Sequence, residues 1–241
     1  MKHLVRVVFA CAGAALLLAA EARASALVYT NAPCVYLLVS NGTAQSAVLL
    51  GPTGSFAGAL TVPVYVRSSL FNVTAVAPGA FRDCAGLGSF ALDPASKVGA
   101  IGAGAFWGCT NLASVTLQAS VTQVGPSAFL GCSALTNVNL AAATGLADVA
   151  QQTFGGCSRL PALTMPGGVT NVGLGAFRGC SALTNIVVPS GVAALPEATF
   201  QECRRLASAS FTGVAVLGVN AFAETGLTNV AIPAAMTDVA Q

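Results

Sequence analysis

Seven cysteines are the residues of this chain best suited to do chemistry. Cys84, Cys109, Cys132, Cys157, Cys180 and Cys203 recur at intervals of 23 or 25 residues, and Cys34 stands apart; an eighth, Cys11, lies in the N-terminal leader. Thiols can cross-link, hold a metal or attack a substrate. Structural zinc sites use cysteines a few residues apart, commonly with histidine. Here no two cysteines are closer than 23 residues, and the one histidine is His3, in the leader. Neither a metal nor a cofactor is expected. Without a second histidine there is no Cys-His or Ser-His-Asp pair. A reactive thiol also needs an electropositive, partly exposed setting, which the sequence does not show. The count of seven is odd. The shared interval points to stacking, with neighbouring Cα atoms about 5 Å apart, within disulfide range by distance alone. Parallel side chains lie alongside each other and do not face each other, so buried free thiols acting as small apolar groups are expected. A Cys34–Cys84 pairing stays open.

Carboxylates offer little more. Beyond the leader the acids are Asp83, Asp93, Asp148, Glu197, Glu202, Glu224 and Asp238, scattered through the chain. Glycoside hydrolysis needs two acids facing one bond, and no spacing here supplies them. Gly102-Ala103-Gly104 lacks the lysine and the strand-to-helix context of a phosphate loop. The expectation is a protein that is not an enzyme.

The leader is read from Met1 to Ala24. Lys2 and Arg6 precede an apolar run of 14 residues, Val7–Ala20, and Ala22-Arg23-Ala24 places small residues where a signal peptidase reads. The run is shorter than the ~20 residues of a membrane span. Residues 1–24 are therefore read as a cleaved secretory signal, and no membrane span is expected afterwards. Without them seven basic residues balance seven acidic ones, and Arg204-Arg205 is the only basic cluster. Nucleic acid binding, which rests on several phosphate-neutralising charges, is not expected.

Residues 25–59 do not repeat. Val35–Val39 and Ala47–Leu50 are strand formers separated by Asn41-Gly42, a strong hairpin signal. This stretch is read as a β-hairpin cap over the open end of a solenoid. Asn41-Gly42-Thr43 and Asn72-Val73-Thr74 are sequons that would accept glycans at Asn41 and Asn72 in a eukaryotic secretory route.

From residue 60 to 241 the chain is periodic. Phe81, Phe106, Phe129, Phe154, Phe177, Phe200 and Phe222 follow one another at 22–25 residues, and each of the first six precedes a repeat cysteine by three. Such a period with regular leucines is the signature of leucine-rich repeats. Each unit begins with a strand anchored on sets such as Leu112, Val115 and Leu117. A turn and an apolar pair such as Val121 and Val124 follow, and the unit closes on Phe-x-x-Cys. The predicted fold is an α/β repeat solenoid. A parallel β-sheet lines one face, short helical or 3-10 turns at Phe-x-x-Cys line the other, and the Phe and Cys residues form internal ladders. The final unit reaches Met236–Val239 without its Phe-x-x-Cys, which suggests a piece of a longer protein.

Val169-Thr170-Asn171-Val172-Gly173, Ala176-Phe177-Arg178-Gly179-Cys180 and Val187-Val188-Pro189 resemble the BspA-like class of leucine-rich repeats, also described from treponemal surface proteins. The likeness covers residues 60–241. Gln118, Ala141 and Thr212 replace the strand-ending proline, and Thr225 replaces the last cysteine. The resemblance implies a secreted or cell-surface protein concerned with adhesion and protein binding, a surface antigen in kind.

Solenoids bind on exposed strand faces. The outward positions of the first strand include Ser114, Thr116, Asn137, Asn139, Asn185, Ser208, Ser210 and Asn229, all small and uncharged. They form the candidate face for a protein or glycan ligand. The alternative is a structural spacer or stalk fragment with no ligand face.

Overall fold

The computed structural model describes residues 25–40, 45–67, 70–228, 230–234 and 236–239. The predicted signal peptide, the Asn41-Gly42 turn with its sequon, and Asn229 lie outside the described residues.

Strands β1 (Ser25–Asn31), β2 (Cys34–Ser40) and β3 (Gln45–Pro52) form an antiparallel meander. Val, Leu and Tyr dominate these strands, as β-branched and aromatic side chains suit a pleated, half-buried surface. Next come β4 (Gly58–Val62), β5 (Tyr65–Val66), β6 (Phe71–Val76) and β7 (Leu87–Leu92). β3 pairs in parallel with β6, which joins the meander to the solenoid. Asn72 sits within β6, between β3 and β5, and is half-buried in a paired strand.

Two parallel strand ladders run along the solenoid. The first links β4 to β7, β7 to Ser114–Thr116, and that strand to Asn137–Val138; it resumes where Asn185–Val187 pairs with Ser208–Ser210. The second carries the apolar pairs: β6 with Ala100–Ile101 and Gln123–Val124, then Asp148–Val149 with Asn171–Val172, then Ala194–Leu195 with Val216–Leu217 and Asp238–Val239. Between the ladders the core is apolar, and the seven key phenylalanines form one column. Successive ring centroids are 5.2–5.7 Å apart with planes within 13° of parallel. Phe106, Phe129, Phe154, Phe177 and Phe200 are fully buried.

The expected helical turns are absent among the described residues, and the α/β class gives way to an all-β solenoid. The one helical element described is a 3-10 turn at Leu140–Ala142, at the end of a first-ladder strand and not in a Phe-x-x-Cys segment. The reason lies in the backbone around each phenylalanine. The residues two before and two after it have positive φ in every unit: Gly79 and Asp83 around Phe81, Gly104 and Gly108 around Phe106, Ser127 and Gly131 around Phe129, and so on to Asn220 and Glu224 around Phe222. A left-handed residue ends a right-handed helix, and two of them four residues apart leave less than a turn between.

That alternation redirects the hydrogen bonds. In the segment around Phe177, Ala176, Arg178 and Cys180 bond back three residues, to Gly173, Gly175 and Phe177. Gly175, Phe177 and Gly179 instead donate to the carbonyls of Glu197, Thr199 and Gln201 in the next unit at 2.8–3.0 Å. The same three bonds connect each pair of successive units from Phe81 to Phe222. Buried backbone donors must find partners, and these segments find them in a third ladder, built from compact turns. Glycine appears at half of the positive-φ positions because it enters that region without a Cβ penalty.

Candidate functional site

The cysteines belong to the turn ladder. Sγ of Cys109, Cys132, Cys157, Cys180 and Cys203 donates to the carbonyl of Phe81, Phe106, Phe129, Phe154 and Phe177, one unit earlier, at 2.9–3.3 Å. Cys84 lies 3.8 Å from the Phe56 carbonyl and is half-buried. Each of those five phenylalanine carbonyls also accepts the N–H of the cysteine in its own unit, so the thiol occupies its second lone pair. All seven described thiols are free. Burial, the main cause, pushes Cys109 and Cys203 up to about 12 and Cys34 up to about 11. It also raises Cys132, Cys157 and Cys180 well above the ordinary thiol range. A thiol kept protonated is a donor and a poor nucleophile.

The described charged pairs gather on the outer edge of the turn ladder or beside it. Arg178 meets Glu202 at 2.8 Å, Arg204 meets Glu224 at 3.2 Å, and the Arg82 guanidinium lies 4.0 Å over the Trp107 ring. These groups are largely exposed, so each pair adds little to stability.

The first ladder presents the candidate face. Strand alternation points its apolar anchors inward and the residues between them outward. Ser89, Ser114 and Asn137 align across three strands, as do Asn185 and Ser208 across two. Thr116, Asn137, Asn185, Ser208 and Ser210 are exposed and Ser114 is half-buried. Asn139 does not join this row. Its side-chain amide accepts from Leu117 N–H at 2.6 Å and donates to Leu117 C=O at 3.1 Å, standing in for a strand.

Beyond Asn139 the ladder is interrupted. The chain turns into Leu140–Ala142, Pro161 has no N–H to donate to the preceding unit as Thr136 and Thr184 do, and Ala162 holds Asn185 through a single bridge. The interruption opens a cleft of about 340 Å³ lined by Thr164, Met165, Asn185, Val187 and Pro189 among others. Val187 is 66% exposed, jointly the most of the large apolar residues described. The cleft thus combines an exposed amide, an exposed aliphatic side chain and hydroxyls, without a formal charge in its lining. It can take hydrogen bonds and apolar contact. The strand period alone cannot show it, because it arises where the ladder stops; the signal available in the sequence was Pro161 in a strand position.

Known proteins share this geometry. The model of the BspA type leucine rich repeat region matches residues 68–145 and 142–241 with six copies. The chain is similar to the T. pallidum leucine rich repeat protein TpLRR, with 27% identity and a TM-score of 0.69 over 79% of this chain and 85% of that one. It is also similar to a leucine rich cell surface protein from Faecalibacterium prausnitzii, with 25% identity and a TM-score of 0.59 over 90% of this chain; it spans only 51% of that protein. The pneumococcal vaccine antigen PcpA shares the fold, with 19% identity and a TM-score of 0.52 over 87% of this chain and 71% of that one. No curated protein matches in sequence. No helix among the described residues is long and apolar enough to cross a membrane. With the repeat model matched over residues 68–241, this chain belongs to the BspA-type leucine-rich repeat family.

Proposed function

We propose that the chain is a non-catalytic binding module, exported or displayed at the cell surface, that holds a protein or glycan ligand through the outward face of the first ladder. The observation that carries this reading is the uncharged cleft at Asn185 and Val187, set within rows of exposed Ser, Thr and Asn. The similar F. prausnitzii protein is described as a cell surface protein, and a basic leader with an apolar run supports export. Rigidity supports display, because three hydrogen-bonded ladders hold the side chains in register. The face has no Trp, Tyr or Arg of the kind that dominates tight interfaces, so the proposed mode is many weak contacts acting together. The absence of histidine beyond His3 and the pairing of Glu202 and Glu224 with arginines favour a role without catalysis.

A spacer with no ligand face draws on one observation. Asn139, Thr136 and Thr184 direct hydrogen bonds from their side chains to the backbone of neighbouring units. A binding screen against extracellular matrix proteins and a glycan array separates the two readings. Asn185→Asp, Val187→Asp and Ser208→Asp are expected to weaken a ligand found in that screen at least tenfold, while Arg204→Glu leaves it unchanged. A ligand indifferent to all three face variants would remove the first ladder as its site.

A further inference from the structure

β1 is the outermost strand of its sheet among the described residues; the order runs β1, β2, β3, β6 and on into the second ladder. One edge of β1 pairs with β2 along its whole length, from Ser25↔Ser40 to Asn31↔Cys34. The other edge pairs with no described strand. Leu27 and Val28 are 51% and 42% exposed, and as neighbours in a strand they point to opposite faces.

Natural edge strands are guarded by lysine, proline, bulges or inward charges. β1 reads Ser-Ala-Leu-Val-Tyr-Thr-Asn and has none of these. Charge does not guard it from nearby either, since residues 25–66 contain no Asp, Glu, Lys, Arg or His. Val28 also starts an apolar row that crosses the sheet through Leu37, Val48, Ala75 and Ala100. The last four line a groove of about 550 Å³, and the row connects that groove to β1 by way of Leu37.

We propose that β1 pairs antiparallel with β1 of a second copy of this chain, giving a two-fold dimer with one sheet running through both copies. Val28 is the middle residue of Ser25–Asn31. A two-fold axis through it sets Val28 beside its own copy and Leu27 beside the copy's Tyr29, with the apolar row continuing across the axis on the same face. A foreign extended strand would satisfy the same backbone groups; the second copy also matches the row and brings no charge to it. Such an isologous contact uses up the edge and closes at two copies. Paired seven-residue strands cover less than the roughly 1,600 Å² of a standard interface, so the dimer forms and dissociates with concentration. The proposal stands independently of the ligand face, although a dimer would present that face twice.

Sedimentation velocity of the purified chain over a concentration series tests it, with hydrogen exchange followed by mass spectrometry at both ends of the series. The expected result is a monomer–dimer equilibrium in which β1 amides exchange at least tenfold more slowly at the high end. Val28→Lys is expected to be monomeric with unchanged melting. Val216→Lys, at an exposed apolar position in the second ladder far along the chain, is expected to dimerise like the parent. A parent that is monomeric throughout overturns the proposal, as does a dimer whose β1 amides exchange equally fast at both concentrations. Should Val28→Lys misfold, the exchange comparison on the parent decides alone.

Discussion

The thiol of Cys109 donates to the carbonyl of Phe81 across the boundary between two units, at 2.9 Å. That one bond ties together the two residue types that define the repeat. Phenylalanine supplies the stacked ring, and its carbonyl receives the next unit's cysteine. The cysteine is both a small apolar filler and a donor that completes a buried acceptor.

Deleting the thiol in mid-solenoid tests that dual role. Cys157→Ala leaves the Phe129 carbonyl without its second partner in a fully buried setting. The carbonyl keeps the Cys132 N–H, so the lost bond is worth about 0.5–1.5 kcal/mol, and the buried volume lost with the sulfur adds roughly the ~0.8 kcal/mol of a buried methylene. Urea denaturation should show a loss of about 2 kcal/mol.

Alkaline pH should unfold the protein through the same thiols. Their folded values lie above the ordinary 9.0, with Cys109 and Cys203 at about 12. The folded state therefore retains protons that the unfolded state releases. This contribution is complete below pH 9 and is lost as pH rises from 9 towards 12. Melting temperature should be flat from pH 7 to 8.5 and fall steeply above 9.5. In native protein at neutral pH, iodoacetamide should label half-buried Cys84 well before fully buried Cys157 or Cys180, which peptide mapping resolves.

The phenylalanine column is continuous, so removing a middle ring breaks two contacts at once. Phe154 lies 5.4 Å from Phe129 and 5.7 Å from Phe177. Phe154→Ala should cost about 3–5 kcal/mol, as for other buried aromatic truncations. Phe154→Leu keeps apolar volume but not the stack, and should lose less. Near-ultraviolet circular dichroism with denaturant titration measures both.

Backbone geometry makes a prediction of opposite signs. A Cβ on Gly125 would sit 2.6 Å from Ala103 N in the preceding unit, so Gly125→Ala should destabilise strongly. Gln152 is half-buried and holds φ at 52°, where a non-glycine residue pays about 1–2 kcal/mol. Gln152→Gly should relieve part of that and raise stability by about 0.5–1 kcal/mol, read from the urea midpoint.

Much of this architecture was legible because repetition amplifies weak signals. A single Phe177-Arg178-Gly179-Cys180 says little; its recurrence every 22–25 residues places each unit over the last and makes Phe177 and Cys180 internal. Sequence alone suggests helical turns, because Phe-x-x-Cys looks like one turn of helix when its own residues are considered in isolation. What decides otherwise is the backbone at Phe±2. There Gly175 and Gly179 look like ordinary turn residues, while Gln152, Ala198 and Glu202 carry no sign of positive φ.

The sequence by itself determined the stacking: which residues face inward, which face outward, and that units follow one another in register. These follow from local period and from the need of each unit to bury its apolar side against a neighbour. Only the tertiary structure decided that the Phe segments are bonded turns instead of helices, and that Asn139 serves the backbone. It also decided that the first ladder breaks beside Asn185 and that β1 is left open at the sheet edge. Each of these depends on where a hydrogen-bonding group finds its partner. That partner lies some 23 residues away or is missing, and no local pattern specifies it.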